Sequence, residues 1–198
     1  MNETIDYYNQ NASDFMAETV KVNFEETQKM FLRYLPKNAL ILDFGCGSGR
    51  DTKYFLEHGY RVEATDGSLE ICKAATKISG IPVKQMLFQE LNEKQKYDGI
   101  WACASILHLP KNILLIVLQK MCDAIKDHGT IYTSFKYGCC EREKNGRYFT
   151  DFTEETFEKF MRQKPGLKIE KTWITSDVRA ERGDERWLNI ILRKAGTH

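Results

Sequence analysis

Ala39-Leu40-Ile41-Leu42-Asp43-Phe44-Gly45-Cys46-Gly47-Ser48-Gly49-Arg50-Asp51 is the stretch that decides the fold of this chain. Its first half is a short continuous apolar run that stops at glycines, the pattern of a strand buried on both faces of a parallel sheet. The glycines suit a backbone that must turn sharply and let a ligand lie against bare main chain. A helix follows from about Arg50 to His58, closed by Gly59. A glycine-rich turn alone is weak evidence; one that hands a strand over to a helix is much stronger. The dinucleotide fingerprint G-x-G-x-x-G would need glycine where Arg50 stands. The spacing here is G-x-G-x-G instead, with Asp43 two residues before Gly45, which disfavours a nicotinamide cofactor.

Outward from the turn, the same alternation repeats. Tyr60 to Thr65 reads as a strand ending at Asp66-Gly67, and Ser68 as the N-cap of a helix reaching about Ile78, with Gly80 and Pro82 beyond it. Val83 to Phe88 is a third expected strand and Tyr97 to Ala104 contains a fourth. An amphipathic helix over Asn112 to Lys126 and a fifth strand over Gly129 to Phe135 follow. Strands alternating with helices imply βαβ units and a parallel sheet covered on both faces. Upstream, residues 5–35 read as helical, ended by Pro36. Downstream, a helix over Glu154 to Met161 precedes the strictly alternating Leu167 to Ile174. The polar loop Ser176 to Glu185 then leads to a last strand, Trp187 to Leu192. That hairpin predicts an antiparallel edge.

With 198 residues, 42% hydrophobic and 29% charged, the chain fits one domain. We divide it into an N-terminal helical lid (1–36), a ligand-binding core (37–136) and an acceptor-side helix with closing hairpin (137–198). A formal net charge of +1 argues against a broad surface for nucleic acid. No apolar run reaches the roughly 18 residues that span a bilayer. The acidic, polar N-terminus is unlike a signal peptide, so a cytoplasmic location is expected. The six cysteines include no C-x-x-C pair, and Cys139-Cys140 has no nearby histidine, so no metal site is expected.

Candidate site residues follow from the strand ends, where ligands lie in open α/β sheets. Asp66, 23 residues after Asp43, ends the strand beside the glycine turn. An ionised carboxylate there accepts both hydroxyls of a ribose; the plainer role of capping the next helix already falls to Ser68. His108 lies just beyond the fourth strand, as a proton acceptor from the substrate or as a packing residue. Tyr7, Tyr8, Asn11 and Phe15 form a cluster that suits either a lid or plain core packing. Lys136, Arg147, Arg179 and Arg186 form an oxyanion site if they converge, or a solvated rim if the intermixed Glu141, Glu143, Glu181 and Asp184 neutralise them.

Leu42 to Gly49, Asp66-Gly67, Gln89-Glu90-Leu91 and Tyr97 to Ala102 together resemble the class I S-adenosylmethionine (SAM)-dependent methyltransferases, across essentially the whole chain. The single-domain size and the Gly49-Arg50-Asp51 continuation are similar to small members described as tellurite-resistance-like. The resemblance implies a three-layer Rossmann-like fold with a mostly parallel seven-stranded sheet and an antiparallel last strand. It implies SAM as cofactor and S-adenosylhomocysteine as product. The turn Asp43, Gly45, Cys46, Gly47, Ser48 and Gly49 would bind SAM, with Gly45 and Gly47 against the methionine part and Asp43 toward its ammonium. Asp66 would hold the ribose and Gly67 would pass beneath the adenine. Gln89 or Glu90 would face the exocyclic amine, where the family often has Asp. Ala102, Cys103 and Ala104 would offer carbonyls to the ammonium. The function so implied is methyl transfer to a small-molecule acceptor. A protein, peptide or tRNA acceptor and a non-catalytic SAM-binding module are the alternatives. Oligomeric state is not legible.

Overall fold

A computed structural model describes residues 3–163, 166–178 and 184–195. Three eight-residue helices come first: α1 (Glu3–Gln10), α2 (Ala12–Thr19) and α3 (Glu25–Leu32). The expected continuous helical segment is therefore broken twice. At the first break the Asn11 amide donates to the Tyr7 carbonyl at 2.8 Å, a side-chain bond that competes with the helix ladder.

The βα core follows as β1 (Leu40–Phe44), α4 (Arg50–Glu57), β2 (Arg61–Asp66), α5 (Leu69–Ser79), β3 (Val83–Gln85), β4 (Tyr97–Ala102), α6 (Lys111–Ala124) and β5 (Ile125–Lys136). Then come β6 (Glu141–Lys144), β7 (Arg147–Thr150), α7 (Glu154–Met161), β8 (Leu167–Ser176) and β9 (Arg186–Lys194). The third strand ends three residues earlier than the pattern predicts. Beyond it a 3₁₀ turn over Phe88–Glu90 takes over, with Glu90 accepting from the Leu87 amide at 2.7 Å. The fifth strand starts four residues earlier than predicted, directly at the end of α6.

Seven strands form one sheet in the order β3-β2-β1-β4-β5-β9-β8. β1 pairs parallel with both β2 and β4, while β9 runs antiparallel to β5 and to β8. The antiparallel strand thus lies second from the edge, with β8 outside it. Strand order reverses between β1 and β4, the switch point where α/β sheets open a crevice. The glycine turn sits there.

Period-two alternation sorts the strand residues into two cores. Leu42, Ile100, Ile131 and Ile190 face α6 and α7, packing with Leu114, Leu118 and Phe157. Ile41, Trp101, Tyr132 and Ile191 face the other side, packing with Phe31 of α3 and Phe55 of α4. Trp101 stacks on Tyr132 at 4.0 Å between ring centroids, and both are fully buried. Truncating a buried aromatic such as Phe31 to alanine would cost about 3–5 kcal/mol, so this second core is what holds α3 to the sheet.

The segment after β5, read from the sequence as a polar loop, is a separate two-stranded hairpin. Its turn, Asn145-Gly146, has φ of 51° and 70°. Asn-Gly with both residues left-handed is the tight turn whose twist matches paired strands. The hairpin reaches back over the strand ends: the Tyr148 amide donates to Thr4 Oγ1 of α1 at 3.2 Å.

Candidate functional site

Between the strand ends, the N-terminal helices and this hairpin lies a cavity of about 400 Å³, within the usual range for small-ligand sites. The glycine turn forms its floor. The Gly45 and Cys46 amides both donate to the Thr65 carbonyl at 2.9 Å, tying the turn to β2. Gly45 has φ of +83°, and a Cβ there would lie 2.5 Å from Ser105 Cβ. Glycine is therefore required by the neighbouring loop as well as by the turn.

Asp66 stands on the cavity wall at the end of β2, accepting from the Gly47 amide at 3.1 Å and the Ser68 amide at 2.9 Å. Burial, only partly offset by these amides, raises its carboxyl to about 6. With the Gly67 amide a third donor, the carboxylate keeps a lone pair for another. Ser68 caps α5 as expected, accepting from the Ile71 amide at 3.2 Å, and also donates to Asn9 Oδ1 of α1 at 2.7 Å.

The other turn residues separate. Cys46, Gly47 and Ser48 lie on the wall, as do Gly67, Gln89, Cys103 and Ala104. Ala104 holds φ of +47°, a conformation uncommon for a residue with a Cβ and one that clusters at functional sites. Its amide is fixed by Ser134 Oγ at 2.9 Å. Asp43, Gly49, Glu90 and Ala102 do not reach the wall. Asp43 is buried below the turn, accepting from Thr52 Oγ1 at 2.5 Å. Burial, and next the charge of Asp51, push it up to about 8. Glu90 is spent on the Leu87 amide. Burial, then Asp51, lift the Cys103 thiol to about 12, which keeps it protonated.

One feature of the wall escaped the sequence reading. Asp51 accepts from Arg50 through Nε at 2.7 Å and a terminal nitrogen at 2.9 Å, from Gln28 at 2.6 Å and from the Trp101 indole at 2.8 Å. Arg50 lies 4.8 Å over the Phe24 ring. One buried carboxylate thus joins α3, α4 and β4 behind the turn. Four donors drawn from residues 28, 50 and 101 leave no local signature.

At the far end, His108 Nδ1 lies 2.6 Å from the Tyr148 carbonyl, which can only accept. Nδ1 therefore carries the proton, and Nε2 accepts from the Tyr8 hydroxyl at 3.0 Å. Burial, with Arg147 and Lys136 adding to it against the pull of that carbonyl, lowers His108 to about 4. The imidazole is neutral with both nitrogens engaged. Tyr8 also packs edge-on against Phe15, while Tyr7 stays behind the wall.

Of the four basic residues, Lys136 and Arg147 line the cavity. Lys136 pairs with Glu185 and lies over the Phe149 and Trp187 rings. Arg186 is turned to the Tyr137 ring, 4.6 Å away, and Arg179 falls outside the described residues. Phe149 and Trp187, aromatic wall residues not foreseen as such, come from the hairpin and from β9. The Asn145-Gly146 dipeptide between short alternating runs was the signal for the first. Among the described residues no cluster of histidine, cysteine and acidic side chains could hold a metal. No described helix is long and apolar enough to cross a membrane.

Residues 41–129 match the family model of a methyltransferase domain. The chain carries the methyltransferase domain and fold of the class I SAM-dependent enzymes. Similar solved structures include a 1,6-didemethyltoxoflavin-N1-methyltransferase from Burkholderia thailandensis, bound to 1,6-didemethyltoxoflavin and S-adenosylhomocysteine. It is 22% identical with a TM-score of 0.77, over 96% of this chain and 85% of that one. Another is the magnesium protoporphyrin IX methyltransferase of Synechocystis with bound SAM, 17% identical with a TM-score of 0.72, over 98% of both chains. A third, the (4+2) cyclase SpnF, is 12% identical with a TM-score of 0.73, over 98% of this chain and 97% of that one. No curated protein matches the sequence. The likeness to the tellurite-resistance-like group rests on the sequence features alone.

The wall of the cavity fits SAM. Asp66 keeps a lone pair for a further donor beside a turn where a Cβ on Gly47 would come within 3.2 Å of Phe15. The ribose hydroxyls would supply that donor.

Proposed function

We propose that this methyltransferase moves the methyl group of SAM onto a small-molecule acceptor by in-line displacement. The observation that carries the reading is one continuous cavity. It joins the glycine turn and Asp66 at one end to Tyr8, Phe149 and Trp187 at the other. Bound SAM supplies a methyl carbon on a sulfonium, a centre that needs orientation and dryness more than acid catalysis.

The chain's own residues would serve those two needs. Asp66 holds the ribose, and Gly45, Cys46, Gly47 and Ser48 take the methionine part. Gln89 rather than Glu90 would meet the adenine amine, since Glu90 is occupied. Asp43, one layer down, acts on the ammonium through water. Helices α1 and α2 form a lid whose Ile5, Tyr8 and Phe15 face the cavity and shut out solvent. His108 is a positioning residue in this reading: its occupied Nε2 fixes the Tyr8 hydroxyl, and a nitrogen lowered to about 4 is a poor base at neutral pH.

Calorimetry with SAM, followed by detection of S-adenosylhomocysteine during an acceptor screen, tests the proposal. Binding with acceptor-dependent turnover is expected. Absence of binding at millimolar SAM would overturn it, and binding without turnover on any acceptor would leave a SAM-binding module. Turnover only with a protein, peptide or tRNA would replace the small-molecule acceptor.

A further inference from the structure

The basic side chains that line the cavity are not equivalent. Arg50 is neutralised by Asp51, Lys136 by Glu185 and Arg142 by Asp151. Lys144 has no acidic partner among the described residues, but it is exposed on the hairpin. Arg147 is half-buried and, among the described residues, has no carboxylate partner. Its Nε is buried without a hydrogen-bond partner among the described residues. The side chain is held in place by rings instead: its guanidinium carbon lies 4.3 Å over Tyr7 and 5.4 Å over Phe149. Stacking fixes a guanidinium without neutralising it, and apart from the Tyr8 hydroxyl within its reach no described side chain meets its charge. A buried donor without a partner is costly, so a site built this way calls for an acceptor from outside the chain.

The surroundings specify what that acceptor looks like. Phe149 and Trp187 give flat apolar faces on the same wall, and the Tyr8 hydroxyl, fixed by His108, stands beside Arg147. We infer that Arg147 is the docking point for a negatively charged group on a small planar aromatic acceptor, whose ring lies between Phe149, Trp187 and Tyr8. A guanidinium reads carboxylate and phosphate oxygens through paired N–H donors, so the charged group is of that kind. This deepens the small-molecule reading of the same cavity and rests on it.

The test uses protein saturated with S-adenosylhomocysteine and three probes of similar ring size: benzoate, phenyl phosphate and neutral benzamide. Titration calorimetry should give at least tenfold tighter binding for one or both anions than for benzamide. Arg147→Gln should erase that preference to within twofold, Arg147→Lys should keep part of it, and S-adenosylhomocysteine affinity should be unchanged in both variants. Equal binding of benzamide and the anions, retention of the preference in Arg147→Gln, or no binding of any probe would overturn the inference. Failure of the wild-type protein to bind S-adenosylhomocysteine would instead sink the SAM reading beneath it.

Discussion

Replacing Asp66 with asparagine should stabilise the ligand-free protein at neutral pH relative to acid while weakening its grip on SAM. The carboxyl is raised from 3.8 to about 6, chiefly by burial, despite its bonds from the Ser68 and Gly47 amides. Two pH units of differential proton affinity correspond to about 3 kcal/mol. Because the side chain is only partly buried and lines an open cavity, we halve this to about 1.5 kcal/mol. The sign follows from linkage: the folded state holds the proton more tightly than the unfolded one. Stability contributed by this group is therefore present below pH 4 and lost as pH rises through 6. Asparagine has one carbonyl oxygen and so gives up one of the two amide bonds, an offset of about 1 kcal/mol that does not vary with pH. Urea unfolding of both proteins between pH 4 and 7.5 separates the two effects. The difference in unfolding free energy should move in favour of Asp66→Asn by about 1.5 kcal/mol across that range. SAM affinity of the wild type should fall about tenfold per unit below pH 6, while the variant binds weakly and without that dependence. Asp43 titrates in both proteins; Asp66 is the last of the influences that raise it, so its contribution changes little between them. Parallel stability curves, together with near wild-type SAM binding by the variant, would refute the reasoning.

Gly45→Ala places a Cβ 2.5 Å from Ser105 Cβ at a φ of +83°. It should lower stability by about 1–3 kcal/mol from backbone strain alone, seen as a drop in Tm, and abolish SAM binding by calorimetry. Trp101→Phe keeps the stacking on Tyr132 but removes the indole donor to Asp51 at 2.8 Å. The loss should be about 1–3 kcal/mol in urea unfolding, with the Asp51 carboxylate left one donor short. Acceptor KM should stay close to wild type, since the contact lies behind the turn.

The βα core and the glycine turn were legible because their signals are local. The run from Ala39 to Phe44, the glycines to Gly49 and the acid at Asp66 lie within one βαβ unit, and each residue's role follows from its neighbours. The last hairpin was legible from strict alternation, although its place in the sheet was not: nothing in Arg186–Lys194 says that it enters between β5 and β8. Boundaries moved where a side chain competed with the backbone, as at Asn11, or where a carboxylate ended a strand's continuation, as at Glu90. The β6–β7 hairpin was missed because charge in Glu141 to Lys144 masked a two-residue Asn-Gly turn signal.

The acceptor side resisted for a different reason: it is assembled at long range. Tyr8 and His108 are 100 residues apart, His108 and Tyr148 are 40, and Thr4 and Tyr148 are 144, yet these three hydrogen bonds bring α1, the end of β4 and the hairpin together. Residue types that look interchangeable in the sequence part company once those contacts form. Lys136 and Arg147 were equal candidates for an anion site, but Glu185 neutralises the first, while rings and the Tyr8 hydroxyl hold the second and no described carboxylate does. His108 was read as either a proton acceptor or a packing residue; the Tyr148 carbonyl fixes its tautomer and Tyr8 occupies its lone pair. A core that binds the donor through backbone and one carboxylate can therefore keep its local sequence while the lid and hairpin change the acceptor. On the proposed function, specificity would be a property of how α1 and β7 meet, with Arg147 the charge that no described carboxylate neutralises.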